Sequence, residues 1–460
     1  MSHFSRRQFL QTSAAAATAA ALPAAKSDRP PNVLFVLTDD QRWDMFGVAG
    51  NQIVETPNMD WLASRGTRFR NHFVTTAICA VSRASIFTGL YARCHGIHNF
   101  RPGFTEEQYQ YGYPERLRHD AGYRTGFIGK YGVGAAEDVE AAGKHYDFFE
   151  GFPGQGKYIV EGRAHMTTHL GNQAVEFLDG SRDDQPWALQ ISFKAPHVQD
   201  GVPPYFLNDP KYDDLYTGRK LPLFPHMDGE YYLSLPKELK ESENRTRWEQ
   251  RFATPEMWDA SVKRYYRLIH GVDVQMGRLF GELENRGMLD NTVILFSGDN
   301  GFYLGERGFA GKWYMHESPS DAPRDRQPAA GITRASALEC RSTSTLRRRS
   351  SGWPASSTPS INGRDLNPLV DGERPPWRTR NSSTSTVFSH PKIPKSEGVR
   401  TENWAYFQFL SSNRCTKMYD LAHDPQEDHN LVKDPEYSDR LRPSSRTTEG
   451  LDRELGSVEH

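Results

Sequence analysis

The sequence lacks the features of several large protein classes. It has only four cysteines in 460 residues, at Cys79, Cys94, Cys340 and Cys415, and no pair has a Cys-x-x-Cys spacing. These cysteines are too few and too scattered for a disulfide framework, and a thiolate zinc site is not expected. The formal net charge is −2, so the composition gives no support to nucleic-acid binding. The length and composition are typical of a globular protein with a large core and about two domains.

Residues 1–28 have the pattern of a twin-arginine export signal. Arg6 and Arg7 precede an alanine-rich, weakly apolar stretch, and residues 22–25 resemble a small-residue cleavage site. A chance Arg-Arg pair would not explain the apolar stretch, which is too short and alanine-rich to cross a bilayer. We therefore expect an exported protein, periplasmic or extracellular, with the twin-arginine translocase as a partner and no membrane span in the mature chain.

Strand-like and helix-like segments alternate along the rest of the chain. Residues 57–65 read as a helix, with Thr56 as its N-cap, Pro57 in its first turn and Gly66 at its end. The other predicted helices lie near 114–120 and 259–287, and the predicted strands are 32–38, 124–129, 187–193, 291–297 and 403–410. This pattern predicts an α/β fold with a large mixed, mostly parallel sheet sandwiched by helices, and a small C-terminal α+β subdomain.

The region 319–358 differs in composition from the rest and has two interpretations. Its arginine, serine and threonine runs are typical of a disordered segment. The alternative hypothesis is local frame errors, because codons compatible with 319–326, 339–355 and 380–386 encode strand-like or other ordered peptides when read in another frame. The predicted division is therefore a main domain over 29–318, this segment, and residues 359–460 holding the end of the main domain and the small subdomain. The segment 201–258 is expected to wrap the surface near the site.

Two strand-like runs end in oxygen-bearing side chains. Asp39 and Asp40 follow the first strand, and Asp299 and Asn300 follow the run 292–298. Either pair alone is about equally well explained as turn residues. The carboxyl ends of parallel strands share one edge of a sheet, where ligands bind in such folds. The two pairs together therefore favour a site for a hard divalent cation.

Cys79 opens a segment that resembles a known family signature. Residues 79–89 read Cys-Ala-Val-Ser-Arg-Ala-Ser-Ile-Phe-Thr-Gly, which is similar to the signature of the type I, formylglycine-dependent sulfatases of the alkaline phosphatase-like superfamily. A lone cysteine entering a helix is ordinarily structural, but further segments resemble the family in order and spacing. They are 32–40, 122–131, 192–197, 265–273, 297–301, 304–306 with Lys312, and 418–421 with 424–425 and 430–431.

The resemblance runs from about Asn32 to Leu431 and departs from the family pattern at two positions. Val81 stands where proline or alanine is usual. Gly132 stands where a histidine often follows the signature lysine Lys130 by two residues.

The resemblance implies a cofactor set and roles for individual residues. Cys79 would be oxidised to formylglycine by a formylglycine-generating enzyme, and its hydrate would attack the sulfate sulfur. The metal would be Ca²⁺, with Mg²⁺ the second choice because it demands stricter geometry. The implied metal ligands are Asp39, Asp40, Cys79, Asp299 and Asn300, and the implied catalytic residues are Cys79, Arg83, Lys130, His197 and Lys312.

Three functions remain open from the sequence. The first is hydrolysis of sulfate esters on sulfated carbohydrates, with Asp299 accepting a proton and His197 or Lys312 assisting the leaving alcohol. The second is a phosphodiesterase or phosphonate hydrolase of the same fold. The third is an inactive homologue that binds sulfated glycans. Taken singly, the two lysines read as surface charges and His197 as a loop histidine, and only their combination favours an enzyme.

Overall fold

The central feature is a five-stranded parallel sheet with strand order β3-β2-β4-β1-β5. The structure is a computed structural model that describes residues 29–69, 72–201, 203–227, 229–315, 366, 382–386, 390–401, 403–410 and 415–437. The chain divides into the units Met1–Pro30 and Pro31–His460, and the sheet belongs to the second. The central strands are β1 (Asn32–Asp39), β2 (Arg124–Lys130), β3 (Phe148–Phe152), β4 (Trp187–Pro196) and β5 (Thr292–Gly298).

Eleven α-helices lie in the described residues of the second unit. They are α1 (Pro57–Arg65), α2 (Cys79–Thr88), α3 (Ala92–His95), α4 (Glu106–Tyr111), α5 (Tyr113–Ala121), α6 (Ala136–Ala142), α7 (Met166–Asp179), α8 (Glu230–Ser234), α9 (Lys237–Lys240), α10 (Glu243–Arg251) and α11 (Pro255–Asn285).

The helices cover both faces of the sheet. On β2, Phe127 and Ile128 are adjacent and therefore point to opposite faces. Ile128 belongs to a large cluster that includes Leu170 of α7 and Met276 of α11, whereas Phe127 packs in a second cluster with Phe87 of α2. The predicted α/β sandwich is confirmed.

Most predicted elements are present with shifted ends. The long helix α11 begins at Pro255 rather than 259, because the Thr254 hydroxyl accepts the Met257 N–H and Pro255 suits a first turn. Helix α1 has its predicted bounds, but Thr56 does not cap it with its side chain. The Thr56 hydroxyl instead accepts the Gly47 N–H at 2.9 Å.

The segment 201–258, predicted as a surface wrap, contains the three helices α8, α9 and α10. The short hairpin β6 (Tyr303–Leu304) and β7 (Ala310–Gly311) follows β5. Among the described residues no helix has both the length and the apolar character needed to cross a membrane.

A four-stranded antiparallel sheet lies at the C-terminal side, in the order β11-β10-β9-β8. Its strands are β8 (Ser382–Thr386), β9 (Ser396–Arg400), β10 (Trp404–Phe409) and β11 (Cys415–Asp420). The prediction of a small C-terminal subdomain is confirmed in this sheet. The frame-error hypothesis for 319–358 lies outside the described residues, and of 380–386 only the backbone pairing of β8 with β9 is described.

Candidate active site

The ends of β1 and β5 bring the two acidic pairs together. The Asp299 N–H donates to the Thr38 carbonyl at 2.9 Å, and the Asp40 N–H donates to Asp299 Oδ1 at 3.2 Å. Asp40 has a left-handed backbone with φ of 64°, and the Tyr265 hydroxyl donates to its carbonyl at 2.7 Å. The two pairs, about 260 positions apart in the chain, thus lie together beyond the carboxyl ends of β1 and β5.

Helix α2 places Cys79 and Arg83 on one side, because residues four apart lie on the same helix face. The buried Cys79 thiol donates to Asp39 Oδ1 at 3.3 Å. Arg83 Nε donates to Asp299 Oδ2 at 2.9 Å, and Arg83 Nη2 lies 3.4 Å from Asp39 Oδ2. The guanidinium therefore bridges the carboxylates of the two strand ends.

Two lysines enter this cluster from different elements. Lys130, the last residue of β2, contacts the Asp39 carboxylate. Lys312, directly after β7, contacts Asp40 and lies with Nζ 2.8 Å from Cys79 Sγ. Their positive charges offset the buried carboxylates.

His197 follows β4 and completes the group. Its Nδ1 lies 2.6 Å from the Val198 carbonyl, which assigns the ring proton to Nδ1. The other nitrogen, Nε2, lies 3.4 Å from Asp40 Oδ2. All of the predicted site residues thus lie in one buried cluster, while their roles stay predictions.

The donor set fits a divalent cation. Asp40 Oδ2 and Asn300 Oδ1 are buried oxygens without a hydrogen-bond partner in the described part of the chain, and such atoms are costly unless something compensates them. Asp39, Asp40, Cys79 and His197 each offer a ligand atom within 4.8 Å of the others. A cluster rich in carboxylate and amide oxygens suits a hard cation such as Ca²⁺ or Mg²⁺.

Burial and charge set the protonation of the group. Burial raises the pKa of Asp40 to about 6, with Lys312 opposing and Asp39 and Asp299 adding to the rise. For Asp39, burial also acts upward, but Lys130, His197, Arg83 and Lys312 together hold its pKa well below the usual range. Burial, with the Asp39 charge, raises the pKa of the Cys79 thiol to about 12. The unmodified thiol is therefore protonated at neutral pH and is a weak nucleophile.

The two departures from the family pattern have structural explanations. Gly132 has φ of +80°, and a Cβ added there would lie 2.6 Å from Arg83 Cδ, so the absent side chain makes room for Arg83. Val81 is buried in an apolar cluster with Ile78 and Phe309.

Three residues near the site were not found from the sequence. Gln155 Oε1 accepts from Lys130 Nζ at 2.7 Å, and Lys194 Nζ donates to the Gln155 carbonyl at 2.9 Å. Tyr265 supports Asp40. The available signal was weak: Lys194 is a lysine within an apolar strand, whereas Gln155 lies in a glycine-rich loop and Tyr265 looks like a core residue of α11.

Comparisons with known proteins agree with this geometry. Residues 31–327, more than half of the chain, match the family model described as Sulfatase. Residues 354–448 match that described as N-sulphoglucosamine sulphohydrolase, C-terminal. Residues 3–23 match the twin-arginine translocation pathway signal sequence, which confirms the predicted export signal.

Individual relatives cover most of the chain. An N-acetylglucosamine-6-O-sulfatase of Bacteroides thetaiotaomicron is 27% identical, with 91% of this chain and 86% of the relative covered. A solved structure in complex with its substrate D-glucosamine-2-N,6-O-disulfate has a TM-score of 0.73 at 21% identity, covering 93% of this chain and 98% of the other. The phosphonate monoester hydrolase of Agrobacterium radiobacter has a TM-score of 0.68 at 20% identity, covering 93% and 96%. These two structural likenesses show the fold alone.

Proposed function

Because the chain belongs to the sulfatase family and is therefore a sulfuric ester hydrolase, we propose that it cleaves sulfate esters of sulfated carbohydrates after export. Cys79, once converted to formylglycine, carries the reaction. The observation that supports this most directly is the buried contact of Cys79 with both Asp39 and Lys312. A lone structural cysteine would not need three carboxylates and three cations around it.

Two groups are needed in addition to the chain's own side chains, and the residues present fit both. A divalent cation would be held by Asp39, Asp40, Asp299 and Asn300 and would supply positive charge to the sulfate group. Formylglycine, formed at Cys79, would supply a hydrated aldehyde as the nucleophile. We propose Ca²⁺ as the cation because Ca²⁺ binds carboxylate and amide oxygens in flexible geometry, whereas Mg²⁺ requires a nearly octahedral arrangement.

The chain's cations bind and orient the sulfate group. Lys312 Nζ lies beside Cys79 Sγ, and Lys130 contacts the Asp39 carboxylate that Cys79 also contacts. Both ammonium groups are therefore assigned to neutralise sulfate oxygens. Arg83 is engaged with Asp299, Asp39 and the Lys130 carbonyl. It therefore acts as a positioning residue that fixes the two carboxylates and the end of β2 relative to one another.

Asp299, His197 and Lys312 are the residues considered for proton transfer. Asp299 accepts the Asp40 N–H at Oδ1 and the Arg83 Nε–H at Oδ2, and we assign to its carboxylate the proton lost by the nucleophile. His197 and Lys312 retain slight solvent exposure, so the leaving alcohol departs on their side. We assign the proton donated to that alcohol to Lys312 Nζ. His197 lies on the same side, but its ring proton is on Nδ1 and burial lowers its pKa well below the usual value.

Carbohydrate as the substrate class is supported by export and by the relatives. The signal at residues 3–23 directs the protein out of the cytoplasm. A relative that covers most of this chain is named for a sulfated amino sugar.

Parallel assays test the reaction. The full chain, co-expressed with a formylglycine-generating enzyme, should hydrolyse 4-nitrophenyl sulfate faster than bis(4-nitrophenyl) phosphate. Intact-mass analysis should find formylglycine in the peptide containing Cys79. Faster diester cleavage would favour a phosphodiesterase, and an unmodified thiol in a protein that binds sulfated glycans would favour the inactive homologue.

Metal removal tests the cation. A cation that binds only the folded chain stabilises it by mass action, by about 3 kcal/mol at a concentration of one hundred times its Kd. Chelation should therefore lower the melting temperature and abolish turnover, and Ca²⁺ should restore both better than Mg²⁺. Asp299→Asn should lose this response, whereas Asp147→Asn, whose carboxylate lies on another edge of the sheet, should keep it. Full activity after exhaustive chelation would rule out a metal site here.

A further inference from the structure

Arg251, the last residue of α10, is a buried cation with few partners. Its side chain is 1% exposed, and its Nε and Nη1 atoms have no hydrogen-bond partner within the described ranges. Its ion-pair partner there is Asp200, whose Oδ1 lies 2.6 Å from Nη2. A buried guanidinium with two unused N–H groups is costly unless an acceptor reaches it.

Arg251 contacts the loop that follows His197. Asp200 is three residues beyond His197, and the Arg251 guanidinium lies over the Tyr205 ring of the same loop, 5.3 Å from its centroid. The Gln199 N–H donates to the Tyr205 carbonyl at 2.7 Å, which closes that loop. The loop that presents His197 thus also forms one wall around Arg251.

Helix α10 connects Arg251 to the Lys312 side of the site. At the other end of the helix, Asn244 Nδ2 donates to the Lys312 carbonyl at 2.8 Å. One turn before Arg251, the Arg247 guanidinium lies over the ring of Trp313, 4.9 Å from its centroid. Helix α10 thus contacts both the loop after His197, through Arg251, and the segment that carries Lys312, through Asn244.

The charge of Arg251 is available at neutral pH. Burial, with the nearby Arg247, lowers the pKa of Arg251 to about 10, while Asp200 and Asp40 oppose that change. Asp40 is thus among the charges that favour the charged form of Arg251. Arg251 is not among the residues assigned above to bind the sulfate that is cleaved.

We propose that Arg251 binds a second oxyanion of the substrate, a sulfate or carboxylate group carried on the sugar in addition to the sulfate that is cleaved. Asp200 is the replaceable partner, because its side chain is 54% exposed whereas Arg251 is buried. A substrate oxyanion takes over the bond to Nη2 and satisfies the unused N–H groups. The planar fork of arginine suits such a two-oxygen acceptor.

This inference rests on the proposed function, so binding and turnover are measured separately. The probes are glucosamine 6-O-sulfate, glucosamine 2-N,6-O-disulfate, and a 6-sulfated glucosamine linked to a uronic acid. Calorimetry on the full chain carrying Cys79→Ser measures affinity without turnover. The same probes are then used for kcat/KM in the matured enzyme.

Arg251→Met should lower the preference for a doubly charged probe over glucosamine 6-O-sulfate by about 10- to 100-fold, the usual worth of hydrogen bonds to a charged group. Arg251→Lys should retain part of the preference. Asp200→Ala should increase it, because the competing carboxylate is removed. Loss of preference with the disulfate alone would identify sulfate as the ligand, and loss with the uronate alone would identify carboxylate.

Arg245→Met is the matched control on the same helix, since Arg245 lies over the Trp248 ring and pairs with Glu249. It should leave the preference unchanged. The melting temperature of Arg251→Met should not fall, because an incompletely paired buried charge is removed. An unchanged preference in Arg251→Met, or an equal loss for all probes with reduced stability, would overturn the proposal. If the Cys79→Ser chain shows the Arg251-dependent preference but the matured chain does not hydrolyse sulfate, the proposed function fails and the binding site stands.

Discussion

At the scale of single residues, the space left by Gly132 decides where Arg83 can lie. The backbone at Gly132 has φ of +80°, and an added Cβ would approach Arg83 Cδ to 2.6 Å. Gly132→Ala should push Arg83 away from Asp299 and lower kcat/KM for 4-nitrophenyl sulfate. A displacement of about 1 Å in such a site can cost on the order of 100-fold.

Gly122→Ala separates backbone strain from the steric clash. Gly122 also has a left-handed backbone, with φ of +71°, but no described atom lies within 4 Å of an added Cβ. Both variants should lose about 1–2 kcal/mol of stability, because an alanine is strained in the left-handed conformation. Only Gly132→Ala should lose activity, and equal activity in the two variants would contradict the positioning role of Arg83.

The placement of a side chain could be predicted where strand ends alone determine position. Asp39, Asp40, Asp299 and Asn300 were predicted from two strands, because parallel strands bring their carboxyl ends to one edge. Gln155 was not predicted, since its place beside Lys130 depends on the fold of the loop after β3. Arg251 was missed because an arginine at the end of a polar helix reads as a surface charge.

At the scale of elements, His95 supports the helix that carries Cys79. His95 Nδ1 accepts the Ile97 N–H at 3.0 Å, and Nε2 lies 3.1 Å from Ser85 Oγ of α2. A protonated ring would place an N–H against the Ile97 N–H. Burial, with the nearby His98, accordingly lowers the pKa of His95 to about 4.

This arrangement predicts a loss of stability in acid. Between pH of about 6.5 and 4 the unfolded chain binds a proton at His95 that the folded chain does not, so the free energy of unfolding falls as the pH falls. The loss should be on the order of 2 kcal/mol. Denaturant melts at pH 7 and 4.5 measure it.

His95→Asn keeps an acceptor for the Ile97 N–H but does not titrate. It should reduce the difference in stability between the two pH values. His119→Asn is the control, because the side chain of His119 is 69% exposed. A pH dependence that is the same in the native chain and in His95→Asn would exclude this histidine as its source.

A helix or strand could be predicted where the local sequence pattern alone specifies it. β1, β5 and α11 have continuous apolar or helical patterns, and their existence followed from the sequence. Helix α10 was missed inside 201–258 because its sequence is dominated by charged and polar residues. Its place is fixed by tertiary contacts such as that of Asn244 with the Lys312 carbonyl. Such contacts leave no periodic signal.

At the scale of the whole molecule, the C-terminal sheet packs against the segment that carries Lys312. Trp313 and Tyr314 share a buried aromatic cluster with Phe407 and Phe409 of β10. Tyr314 and Phe409 meet edge to face, with ring centroids 5.7 Å apart. The sequence indicated a C-terminal strand near this position, but not that it supports a site lysine almost a hundred residues earlier.

Phe409→Ala tests whether this packing positions Lys312. Loss of a buried phenylalanine should cost about 3–5 kcal/mol of stability, and the movement of Tyr314 should lower kcat/KM for 4-nitrophenyl sulfate even well below the melting temperature. Leu410→Ala is the control, because Leu410 is the next residue and is exposed; it should change neither property. If Phe409→Ala loses stability but keeps native kcat/KM at low temperature, the C-terminal sheet stabilises the fold without positioning Lys312. A parallel loss of both properties is expected instead, because an edge-to-face aromatic pair fixes the ring directly beside the peptide that presents the lysine.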